Sequence, residues 1–177
     1  MRSILTILFF IVLFPGCKKD SSTEPVVNTV TSGSAAIDTR RLPTGFSFAR
    51  GDTLSTPNTA NILPDIEFSL KTLHDPRPLG VVFVALRPYL KPTFNFKHFF
   101  STLDSARAYF QGIKEVEDTA FTYETLFETT PYQIYTVKTF DNKFAKILIT
   151  KNGPSADTSY AACSFEWTYQ SNGRRSF

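Results

Sequence analysis

Three side chains in this sequence are candidates for chemistry: Cys17, by the residues before it, and His74 and His98, by residue type alone. Cys17 ends the stretch Leu13-Phe14-Pro15-Gly16-Cys17, with apolar Phe14 three positions before the thiol and small Gly16 directly before it. That is the layout of a bacterial lipobox. Such a thiol receives a diacylglyceryl group, and cleavage behind Gly16 frees the amine for a further acyl chain such as palmitate. Each buried CH2 contributes about 0.8 kcal/mol, and two or more chains anchor a protein stably. His74 lies in Leu73-His74-Asp75-Pro76, a proline-bounded loop, and His98 in Phe96-Lys97-His98-Phe99-Phe100, among aromatic rings. Neutral imidazole binds haem iron, so the pair are candidate axial ligands, which requires both in one pocket. The competing reading is a surface loop for His74 and packing among phenylalanines for His98. Tyr89, Phe94 and Phe96, followed by Phe99 and Phe100, form either core or a wall for a flat apolar ligand or a protein partner.

Other chemistries lack their residues. There is no Gly-x-Ser-x-Gly, no His-Glu-x-x-His and no glycine-rich phosphate loop, so no catalytic residues are assigned. No histidine or cysteine spacing suits a metal site. With Cys17 acylated, Cys163 has no disulfide partner, and its apolar setting (Tyr160-Ala161-Ala162-Cys163) marks a buried, inert thiol. The net charge is +3 and no Lys/Arg run exceeds two residues, which excludes the dense basic patch of a nucleic-acid binder.

The elements that must position these groups are mostly strands. Before Cys17, Arg2 precedes an apolar run from Ile4 to Phe14. The run is shorter than the roughly twenty residues needed to span a bilayer and reads as a lipoprotein signal over 1–16. Residues 17–41 follow as the lipidated cysteine and a polar, Ser/Thr-rich tether. The folded domain is expected over 42–177, with eighteen Phe in the chain to supply its core. Alternation predicts a strand through Phe46 and Phe48 that closes in a turn at Gly51-Asp52, strands at 65–73, 131–140, 143–151 and 158–170, and a buried β-branched strand at 80–86. Asp141-Asn142 supplies a hairpin turn, and Asn152-Gly153-Pro154 a break. One short helix is expected around 102–112, with Ser101 as N-cap and Leu103, Ala106, Phe110 and Ile113 on its apolar face. The fold class is therefore all-β, a mostly antiparallel single domain with one short helix.

The C-terminal third also resembles a known family. Tyr135, Val137, Thr139, Lys143, Phe144, Ala145, Lys146 and Ile147, then Phe165, Glu166, Tyr169, Gln170, Asn172, Gly173 and Arg174, follow the strand-turn-strand pattern of the HmuY-like bacterial surface lipoproteins. Upstream, Gly45–Asp52 and Asp65–Leu70 resemble that family's early strands, with Pro64 where it commonly has Trp. The resemblance implies a mostly antiparallel β domain that captures haem at the cell surface through two axial side chains, His or Met. The sole Met is Met1, inside the signal, so His74 and His98 (or one of them with a Tyr) are the ligands it implies. The expectation is a lipid-anchored binding protein of a gram-negative envelope, held to the outer membrane or cell surface through Cys17. It would be no enzyme, and its ligand would be haem or another apolar molecule. The alternative is a structural or protein-interaction lipoprotein with the fold but no haem site.

Overall fold

Ala161, Cys163, Phe165, Trp167 and Tyr169 all turn one way, and they set the inner face of the first of two sheets. The structure, a computed structural model, describes residues 30–38, 40, 44–55, 62–72, 79–85, 94–117, 126–139 and 141–177. In chain order the elements are β1 (Val30–Asp38), β2 (Thr44–Ser47), β3 (Asp52–Ser55), β4 (Ile66–Lys71), β5 (Gly80–Ala85) and β6 (Phe94–Phe99). Then come α1 (Leu103–Gly112), β7 (Leu126–Glu128), β8 (Gln133–Lys138), β9 (Phe144–Pro154) and β10 (Ala161–Gln170). One sheet runs β1-β10-β9-β8-β6 and the other β3-β2-β4-β5-β7, with every pairing antiparallel. This is the all-β class with a single short helix among the described residues. That helix is neither long nor apolar enough to cross a membrane.

The sheets face each other across an aromatic core. Phe46 meets Phe165 edge-on at 5.1 Å, and Phe83 meets the same ring at 5.4 Å. Such tilted contacts set the positive ring edge against a negative face. Each fully buried Phe contributes about 1.5–3 kcal/mol. Trp167 is clasped between two glycines: a Cβ at Gly33 or at Gly51 would stand 3.0 Å from its Cζ2. Gly51 also has φ +66°, a conformation glycine adopts at no cost, and it closes the turn into β3. Asn152 of β9 ties the sheets together. Its Oδ1 accepts from the Val81 N–H at 2.9 Å, and its Nδ2 donates to the Thr129 carbonyl at 2.7 Å.

α1 covers the outer face of the first sheet, where Ala106 and Phe110 pack on Ile134 and Leu148. Thr102, not Ser101, is its N-cap: the Thr102 Oγ1 accepts the Ser105 N–H. The helix has no basic residue in its last turn. A lysine of the sheet serves instead, since Lys146 donates to the Phe110 and Ile113 carbonyls at 2.8 Å each. Burial pushes the Lys146 ammonium down to about 8, with nearby Lys114 adding to the effect. The helix carbonyls favour the charged form in return.

Two segments depart from the sequence reading. Val30–Asp38, assigned to the tether, is β1, paired with β10 from Val30↔Gln170 to Asp38↔Ala162. Its polar character reflects an edge position, with Ile37 the one buried side chain. The folded part therefore includes Val30 and does not start at 42. The expected break at Asn152-Gly153-Pro154 is the end of β9, which stays paired through Pro154 with an irregularity at Ser164/Phe165.

Candidate functional site at the seam of β6 and α1

β6 borders the first sheet and pairs only with β8 among the described residues. Phe94 sits opposite Val137 and Phe96 opposite Tyr135, both on the inner side. Strict alternation would then turn Lys97 outward and His98 inward again. The ladder breaks that rule, because Lys97 has no partner and His98 sits opposite Ile134. Ile134 belongs to the outer face, under α1. The extra residue of this bulge thus brings His98 round to the helix side, the re-aiming that bulges provide beside functional sites.

There His98 joins two aromatic rings. Its imidazole lies 4.4 Å from the Phe100 ring, at 71°, and 5.6 Å from Tyr109 of α1. Phe100 and Tyr109 are 5.3 Å apart, so the three close a triangle. His98 is exposed, and Tyr109 is 41% exposed. Tyr109 also lines a cleft of about 360 Å3 together with Lys97, Ile113, Lys114, Glu115 and Glu117. Lys97 reaches Glu117 at 3.4 Å, and Arg175 pairs with Glu115 at 2.9 Å. On the opposite side of the strand, Phe96 and Phe99 are each 51% exposed. Phe96 meets Tyr135 edge-on at 5.5 Å.

The site residues named from sequence separate accordingly. His98 and Phe96 are at the surface of β6. Phe94, named with them as a contact aromatic, is instead a core side chain, 1% exposed. Cys17, His74 and Tyr89 lie outside the described residues. Sequence reasoning missed Tyr109, although Ala106, Tyr109 and Ile113 keep the i, i+3, i+7 spacing that puts it on the flank of the buried face. It also missed the bulge, for which the sequence holds no signal. Among the described residues no group of three or more His, Cys, Asp or Glu is placed to hold a metal ion. Cys163 is buried, and burial pushes its thiol up to about 12, so it stays protonated at neutral pH.

A second cleft, of about 230 Å3, opens at one end of the sandwich and is lined by Ser47, Leu63, Pro64, Asp65, Asp141 and Tyr169. Burial pushes the Asp65 carboxyl up to about 6, against the pull of the Phe48 N–H, which donates to it at 2.7 Å. Lys143 neutralises Asp141 at 2.6 Å. This cleft closes a turn: Asp65 holds the chain where β2 leaves the sheet.

Compared with protein-family models, with curated proteins and with solved structures, the chain has no significant match in any of the three.

Proposed function

We propose that this chain is a lipid-anchored binding protein of a gram-negative cell envelope, held in its membrane through acylated Cys17. It binds haem, or another flat apolar ligand, at the seam of β6 and α1, and it catalyses no reaction. The observation that carries the reading is the exposed His98 imidazole flanked by the Phe100 and Tyr109 rings. An imidazole supplies an axial nitrogen to haem iron, and aromatic faces pack against a flat macrocycle. The reading assigns the second axial position to His74. The fit rests on donor chemistry: an imidazole open to solvent, with aromatic rings beside it to pack on the macrocycle.

A second reading, docking of a protein partner along the β6 edge, is favoured by the half-exposed Phe96 and Phe99. A haemin titration of the detergent-solubilised full chain, followed by visible absorbance, separates the two. Haem capture predicts a saturable one-to-one spectral change that is lost in His98→Ala and weakened or altered in His74→Ala. No saturable change, or one indifferent to both substitutions, overturns it and leaves the docking reading.

A further inference from the structure

We propose that the ligand taken at this seam carries an anionic group, a carboxylate, which Lys97 and Lys114 bind across the cleft beside Tyr109. The inference rests on the binding reading above and adds the charge of the ligand to it.

Lys97 and His98 are consecutive: alternation already turns Lys97 to the helix side, where it lines the cleft, and the bulge brings His98 to the same side. Tyr109 belongs to the aromatic triangle and to the cleft wall at once, so the cleft adjoins the place beside His98 where a ring would rest. The Lys97 side chain is only 15% exposed, so much of its freedom is already lost before any ligand arrives. Its ion pair is a weak one: Glu117 is 67% exposed and stands at 3.4 Å. Exposed pairs of that kind contribute roughly 1 kcal/mol or less and are readily exchanged for a better anion. Glu115 is engaged by Arg175. Among the described residues Lys114 has no carboxylate partner. Behind the cleft Lys146 adds a further cation, with its Nζ on the Ile113 carbonyl. Lys97 and Lys114 thus line the cleft with Glu115 and Glu117, and with Arg175 on Glu115 the balance among these described residues is one positive charge in excess beside Tyr109.

The test compares two probes on the full chain in detergent: haemin, and haemin dimethyl ester, which keeps the iron and the ring but has no ionised carboxylate. The wild type is expected to bind haemin about tenfold or more tightly than the ester, as a charge-assisted hydrogen bond implies. The double variant Lys97→Gln/Lys114→Gln should lose that preference and keep its affinity for the ester. Glu117→Gln, which frees Lys97, should bind haemin more tightly than wild type, a gain that misfolding cannot produce. Equal binding of the two probes by wild type, or an equal loss of both in the double variant, overturns the inference while leaving the seam as a haem site. Binding of neither probe, or binding of both that survives His98→Ala, overturns the site itself and the inference with it.

Discussion

β1 and β6 border the same sheet, and among the described residues each lacks a second neighbour, yet they are made from opposite materials. β1 is Val-Thr-Ser-Gly-Ser-Ala-Ala-Ile-Asp, in regular register over its whole length, with small and polar side chains outward. β6 is Phe-Asn-Phe-Lys-His-Phe, broken by a bulge and carrying exposed rings. A bare edge invites pairing with other chains, and proteins blunt it with polar residues or bulges. β1 uses the first device alone. β6 uses the second, and the bulge sets His98 beside Lys97 and the helix instead of merely spoiling the edge. Phe96 and Phe99, each 51% exposed, are the apolar surface that β6 offers and that β1, with small and polar side chains, does not. On the function proposed above, the β1 edge serves structure and the β6 edge recognition.

The sharpest way to break that division lies within β6 itself. Phe94→Ala, in the core, should cost about 3–5 kcal/mol in urea denaturation. Phe96→Ala, two residues on, should cost about 1 kcal/mol or less, since it forfeits one edge-on contact with Tyr135 at a half-exposed position. Comparable losses at both positions would make β6 a structural strand throughout.

A smaller effect belongs to the β1 side. Asp65 lies in the cleft beside Tyr169, whose strand partner is Thr31 of β1. Its folded pKa is raised to about 6 from an ordinary 3.8. The folded state therefore binds this proton more tightly than the unfolded state. Stability from this group is fully present below about 3.8 and is lost as pH rises through 6, by about 3 kcal/mol at most. Urea midpoints should rise as pH falls from 7.5 to 5, and Asp65→Asn should flatten that rise. A slope unchanged in the variant would place the titration elsewhere.

Much of the fold was legible because the strands that make the core alternate cleanly. The odd residues of 161–169, the β8–β9 hairpin at Asp141-Asn142 and the apolar face of α1 all follow simple periods. Asn142 takes the expected left-handed turn conformation, with φ 61°. β1 was not legible, since an edge strand with one buried side chain has no alternation to display. The N-cap shifted by one because Ser101 and Thr102 both carry a capping hydroxyl. At the candidate site, residue type pointed to His98, but period 2 puts His98 on the face of Phe94 and Phe96. Only the pairing of His98 with Ile134 reveals that it meets Phe100 and Tyr109. A bulge is decided by how two strands and a helix pack, so local sequence carries little trace of it.

The division between the two edges is tested most directly by paramagnetic broadening. Haemin iron is paramagnetic, so adding it to the isotope-labelled full chain in detergent should broaden the NMR signals of His98, Phe100 and Tyr109. Ser32, Gly33 and Ser34 of β1 should stay sharp. Broadening along β1, broadening spread evenly over the molecule, or none at the β6–α1 seam would contradict the account.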